Sequence, residues 1–101
     1  MQRVFVIQEQ KDKNLLPAEK FGEITVILCQ RDLERGIDHC IDKLSTAMQD
    51  IDSRTDSLIL VGKPLMIAIG FHIALHYGDG KVSALNWDPI HYKYIRETIS
   101  L

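Results

Sequence analysis

Three short runs of almost uninterrupted apolar residues constrain the fold of this chain most strongly: RVFVIQ at Arg3–Gln8, EITVILC at 23–29 and SLILVG at 57–62. They are rich in β-branched residues and too short for helices, so they predict β-strands. Strands that are apolar on both faces are typical of a parallel sheet that is covered from both sides. A fourth strand, KVSALNW, is predicted at 81–87 after a GDG turn.

Two longer segments between these strands have helical patterns. Between 30 and 52, apolar residues recur every three or four positions, which predicts one amphipathic helix with Asp32 as its N-cap and Gly36 inside its first turns. The segment 64–78 begins with Pro64, ends in a glycine and is apolar on almost every side, which predicts a well-covered helix. Helices between buried strands act as right-handed crossovers in parallel sheets.

Residues 89–101 are compatible with two structures. An Asp-Pro pair at their start favours a helix, whereas the aromatic and β-branched residues of HYKYIRETISL favour a strand. We prefer a strand that pairs back on 81–87 through a turn near 88–91. Charged side chains on such an edge would discourage edge-to-edge association; here they are Lys93, Arg96 and Glu97.

The predicted architecture is therefore a single α/β domain over residues 1–101. It is a small Rossmann-like three-layer domain with two main helices. Its partly parallel sheet has about five strands and an antiparallel C-terminal edge. The length of 101 residues, 46% apolar and 26% charged, suits one ordinary globular domain.

The net charge of −2 gives no support to nucleic-acid binding, which requires clustered basic residues. No stretch reaches the ~20 apolar residues of a membrane span, and the first residues lack the pattern of a signal peptide. Two cysteines, Cys29 and Cys40, do not form a disulfide framework. We therefore predict a cytoplasmic protein with reduced thiols.

The turn Gly62–Lys63–Pro64 invites comparison with a phosphate-binding loop. A P-loop needs an upstream glycine and a Ser or Thr after the lysine, and this chain has neither. A helix that starts at the carboxyl end of a parallel strand can still bind an anion through its free N–H groups. We therefore predict a ligand site formed by Gly62 and Lys63 with Asn14 and Lys20, from the long polar loop after the first strand.

The sequence gives less support to metal binding or catalysis. His72 and His76 have the spacing of a zinc-binding helix, but the glutamate of that motif and further nearby ligands are missing, so no metal site is predicted. No catalytic residue and no cofactor is predicted. Aromatic residues concentrate in the last quarter of the chain and favour either edge packing or an interface with another protein; they are Tyr77, Trp87, Tyr92 and Tyr94.

Two segments carry a family resemblance. AEKFGE at 18–23, together with a strand–glycine–helix unit that contains Gly62 and Met66, resembles a group of small, mostly uncharacterised α/β proteins of tailed bacteriophages and prophages. Tyr94 and Glu97 are similar to residues of the closing strand in that group. The resemblance implies a phage context, a small α/β fold and a C-terminal strand, and it implies no established activity.

The sequence as a whole thus predicts a non-enzymatic binding or regulatory protein that forms homo-oligomers. Its partner is either a nucleotide or other anionic ligand at the carboxyl ends of the parallel strands, or a host or phage protein. The alternative is a nucleotide- or phosphate-handling enzyme that uses the same cleft, with Glu19 or Glu23 as a general base.

Overall fold

A five-stranded mixed sheet forms the centre of the molecule. The computed structural model describes residues 2–101. Its strands are β1 (Arg3–Gln8), β2 (Glu23–Leu28), β3 (Ser57–Ile59), β4 (Lys81–Asp88) and β5 (Lys93–Ser100). Their order is β2-β1-β3-β4-β5; the first four are parallel and β5 is antiparallel to β4. The predicted α/β fold with an antiparallel C-terminal edge is confirmed, and the tail forms the strand rather than the helix.

The strand β1 lies between β2 and β3 and is buried on both faces. Phe5 and Ile7 point toward one core cluster, and Val4 and Val6 point toward a second cluster on the opposite face. All four side chains are at most 1% exposed. The continuous apolar run at the start of the sequence is therefore explained by cover on both sides of the sheet.

Both main helices cover the same face of the sheet. They are α2 (Ile37–Met48) and α3 (Pro64–Tyr77), and their buried residues pack together with residues of β1 to β4. Gly70 lets α3 approach closely, because a Cβ atom there would lie 2.7 Å from Cδ1 of Ile7. The outer side of α3 is exposed, including Leu65 and His72, so the helix is less completely covered than its composition predicts.

The opposite face is covered by a single 3₁₀ helix, Leu16–Phe21, within the long loop after β1. Pro17 stands at its start, as proline suits a first helical position, and Ala18 is fully buried against Val4 and Val6. The third layer of the predicted fold is therefore this short helix, and both longer helices belong to one layer.

The predicted helix over 30–52 is in fact two helices, α1 (Gln30–Glu34) and α2. The chain breaks at Gly36, whose φ of +103° lies in the left-handed region that glycine favours. A periodic apolar pattern does not reveal such a break, because both helices continue the same stripe.

Asp32 is not an N-cap but a connector between α1, α2 and the end of β2. Its Oδ2 accepts hydrogen bonds from the backbone N–H of Cys29 at 2.8 Å and from Nζ of Lys43 at 2.9 Å. Its Oδ1 lies 2.8 Å from Nε2 of His39. The carboxylate is buried, and these partners hold its pKa well below the usual range, with the Cys29 backbone N–H as the largest cause.

We expect Asp32→Asn to lower the free energy of unfolding by about 1–3 kcal/mol at pH 7, because hydrogen bonds to a buried charge are lost. A carboxyl whose pKa is depressed on folding stabilises the protein above its unfolded pKa of ~3.9 and loses that contribution as the pH falls toward the folded value. Urea denaturation between pH 7 and pH 2 should therefore show that the free energy of unfolding falls less with acidification in the variant than in the wild type.

The matched control is Asp42→Asn, since Asp42 is an exposed carboxylate of α2. It should leave both the stability at pH 7 and the acid profile almost unchanged. Equal effects of the two substitutions would contradict the connecting role of Asp32.

Candidate functional site

A cavity of about 740 Å³ lies at the carboxyl ends of β3 and β4. Most of its lining is apolar or aromatic. The polar groups that line it come from the loop after β1 and from the two C-terminal strands; they are Asp12, Lys13, Asn14, Asn86 and Glu97. The cavity is thus at the end of the sheet where open α/β proteins bind ligands.

The cavity exists because β3 turns away from β4. The N–H of Val61 donates to the carbonyl of Ile59 at 3.1 Å, which makes a three-residue γ-turn centred on Leu60. Leu58 and Ala84 are the one pair that joins β3 to β4 among the described residues. After the turn, the carbonyl of Val61 accepts from the N–H of Gln8 at 3.1 Å, so the chain stays beside β1.

The strand β4 continues to Asp88 and leaves a gap where β3 has turned away. The strand predicted over 57–62 is therefore too long at its end, because the apolar run extends through the γ-turn. This backbone divergence, rather than any loop insertion, opens the site.

Aromatic side chains of the β4–β5 hairpin form one wall of the cavity. Trp87 and Tyr94 are cross-strand partners, and their ring centroids are 5.0 Å apart in an edge-to-face arrangement. Tyr94 is buried, which raises the pKa of its hydroxyl, so that group stays neutral at physiological pH. Tyr92 is 76% exposed and lies in the hairpin turn with a φ of +52°. Exposed flat rings beside a cleft are suited to stacking.

The charges of the lining do not favour a dense anion. Two carboxylates, Asp12 and Glu97, face the cavity with one cation, Lys13. The amides of Asn14 and Asn86 can both donate and accept hydrogen bonds, and Asn14 Oδ1 already accepts from the N–H of Leu16 at 3.2 Å. This arrangement of charges and amides suits a ligand with a neutral, polar edge better than a ligand with a polyphosphate group.

Of the four residues that the sequence predicts for the site, Asn14 lines the cavity, and Lys20, Gly62 and Lys63 do not. Lys20 lies in the last turn of the 3₁₀ helix, where its Nζ is 5.2 Å from the ring centroid of Phe21. Gly22 follows at once and touches the backbone of Gln2, so this part of the loop has reached the amino ends of the strands. The structure does not bring Lys20 and Asn14 together.

Gly62 and Lys63 are explained largely by a contact with Gln8. A Cβ atom on Gly62 would lie 2.5 Å from Cβ of Gln8, and its φ is +132°. Oε1 of Gln8 accepts the backbone N–H of Lys63 at 2.8 Å, so the protein itself uses this donor at the start of α3. The Lys63 side chain is exposed, two residues beyond the cavity residue Val61.

Sequence reasoning missed the aromatic and amide wall, which comes from Asn86, Trp87, Tyr92 and Tyr94. The sequence did contain a signal for this wall: Asn-Trp and Tyr-x-Tyr stand on either side of the predicted hairpin turn, so the hairpin would place their side chains close together. Neither Glu19 nor Glu23, the bases of the alternative enzymatic prediction, lines this cavity.

Two features are absent from residues 2–101. No group of three or more His, Cys, Asp or Glu side chains is arranged there to hold a metal ion. Within the same residues, no helix has both the length and the apolar character that crossing a membrane requires.

Comparison with known proteins gives one match. A family model described as Phage Pam3 gp32-like protein matches residues 2–101. No curated protein and no solved structure gives a significant match.

We expect Gly62→Ala to destabilise the protein more than Gly36→Ala does. Both glycines have a positive φ, but a Cβ on Gly36 would meet nothing within 4 Å, whereas one on Gly62 would collide with Gln8. Gly36→Ala should cost about 1 kcal/mol from backbone strain alone, and Gly62→Ala about 2 kcal/mol or more. Urea denaturation measures both; equal costs would show that the contact with Gln8 does not require glycine.

Proposed function

The chain belongs to the Phage Pam3 gp32-like family, and from this premise we propose that it is a small phage binding protein whose ligand carries a flat heteroaromatic ring of the nucleobase class. The ligand occupies the cavity between β3 and β4. The observation that carries the proposal is the combination of exposed aromatic rings, side-chain amides and an unpaired stretch of β4 around one cleft.

The size and place of the cavity support this proposal. Ligand pockets typically measure about 300–1,000 Å³, and this cavity measures about 740 Å³. Open α/β sheets bind ligands outside the carboxyl ends of their strands, where this cavity lies.

The lining matches both the face and the edge of a nucleobase. The face of the ring stacks on Trp87 or Tyr92, and base–aromatic stacking is worth about 1–3 kcal/mol. The edge of the ring meets the amides of Asn14 and Asn86. Beyond Ala84, β4 is not paired with β3, so its backbone groups on that side add donors and acceptors.

The charged side chains at the cavity restrict which ligands it can bind. Two carboxylates beside one lysine at the cavity repel a triphosphate, whereas Lys63 near the rim can contact a single phosphate group. We therefore favour nucleosides, nucleoside monophosphates or cyclic nucleotides over triphosphates. The proposed role is binding without turnover, in the cytoplasm of the infected cell.

The experiment uses Trp87, the single tryptophan of the chain, as its probe. Nucleosides, monophosphates, cyclic mononucleotides and cyclic dinucleotides are titrated against intrinsic fluorescence, with melting temperature as a second readout. We expect a ligand of this class to quench the emission. A ligand at about 100 times its Kd raises the free energy of unfolding by about 2.7 kcal/mol.

Variants locate the site. Asn86→Ala and Tyr92→Ala should each raise Kd about tenfold, because a hydrogen bond or a stacking surface is lost. Tyr77→Ala is the matched control, since Tyr77 is an exposed tyrosine at the end of α3 and does not line the cavity. Lys63→Ala should weaken monophosphates and leave nucleosides unchanged. The proposal fails if no member of the panel alters fluorescence or melting temperature, and product formation would show an enzyme instead.

A further inference from the structure

The strand β5 has an open edge. It is the last strand of the sheet and pairs with β4 over its whole length, Lys93–Ser100. Within the described residues no strand pairs with its other side, which therefore presents backbone N–H and C=O groups. Such an edge is a template for another strand, and proteins usually block it with charge, proline or a bulge.

The helix layer leaves this edge uncovered. The core beneath α2 and α3 is built from residues of the helices and of β1 to β4, and none of its buried residues comes from β5. Ile95, near the middle of β5, is 42% exposed. Other apolar side chains of the hairpin, its turn and the residue after β5 are also exposed; they are Trp87, Ile90, Tyr92 and Leu101. Apolar side chains are thus exposed along the length of this edge rather than at one point, and exposed apolar surface can mark an interaction site.

One of the three charged residues predicted to discourage edge-to-edge association, Arg96, binds groups of its own chain. Arg96 donates from Nε to Oγ of Ser57 at 3.0 Å and from Nη2 to the carbonyl of Ser53 at 2.8 Å. These bonds tie β5 across β4 to the first residue of β3 and to the segment before it. The guanidinium is therefore committed to its own subunit and does not repel a neighbouring strand.

The remaining charges, Lys93 and Glu97, are arranged for self-pairing. They stand two residues before and two residues after Ile95, so all three side chains share one face of the strand. If two copies of β5 pair antiparallel about a two-fold axis at Ile95, each Lys93 lies opposite the partner's Glu97. A register centred on Glu97 would instead oppose two carboxylates.

We propose that β5 pairs with β5 of a second copy of this chain, antiparallel and centred on Ile95, to form a continuous ten-stranded sheet. Opposite charges across neighbouring strands stabilise this register, and like charges disfavour the register centred on Glu97. The second copy is the favoured occupant because the charge pattern is complementary to itself. The proposal does not rest on the ligand proposed above. Glu97 also lines that cavity, whereas Lys93 and Ile95 do not, so Lys93→Glu and Ile95→Lys change the interface alone.

The test measures association of the full chain by analytical ultracentrifugation. The wild type should form dimers. Lys93→Glu alone gives each edge two carboxylates, and Glu97→Lys alone gives each edge two ammonium groups, so each variant should raise the dimer Kd at least about tenfold. An equimolar mixture of the two variants opposes unlike charges again and should form heterodimers about as tight as the wild-type dimer.

A matched pair of substitutions controls for general surface effects. Ile95→Lys should give a monomer with an unchanged circular dichroism spectrum, because the side chain is already partly exposed. Ile37→Lys places the same change at a 44% exposed isoleucine of α2 and should leave the dimer intact. A wild type that stays monomeric at millimolar concentration, a dimer insensitive to Ile95→Lys, or a mixture no tighter than its separate components would each overturn the proposal.

Discussion

The strand β1 is the element on which the rest of the structure depends, because its four central apolar residues are buried on both faces. One face needs Phe5 and Ile7 covered, and α2 and α3 provide that cover. The other face needs Val4 and Val6 covered, and the loop after β1 has to return across the sheet as a 3₁₀ helix to do so. The long polar segment of the sequence therefore serves first as a structural cover, and only its beginning reaches the candidate cavity.

Most of the fold was predictable, since the buried strands and the two longer helices are marked by hydrophobic pattern. Membership of a phage protein family also confirms the phage context that AEKFGE and the strand–glycine–helix unit implied. The errors have local causes. Gly36 breaks a helix whose apolar stripe runs on without interruption, and Leu60 forms a γ-turn inside an apolar run. The γ-turn lies beside a tertiary hydrogen bond from the N–H of Gln8 to the carbonyl of Val61, which a single sequence does not display.

The site was less predictable than the fold. The place of the candidate cavity at the carboxyl ends of the strands follows from topology, and Asn14, which was predicted at that end, lines it. Lys20 was expected there because a loop of unknown path was assumed to stay at one end of the sheet. Gly62 was expected to approach a ligand closely, whereas in the structure it approaches the side chain of Gln8. Trp87 and Tyr92 belong to the cavity only because β3 and β4 diverge, and that divergence leaves no trace in composition.

The γ-turn at Leu60 has a consequence for how such a protein can change over time. The cleft is made by main-chain geometry, whereas several of the side chains around it, among them Asn14, Asn86 and Tyr92, are exposed and contribute little to the core. Replacing them changes the chemistry of the cleft's lining without disturbing the scaffold that holds it open. If the cleft binds a ligand as proposed, single substitutions would therefore alter its selectivity at little cost to folding.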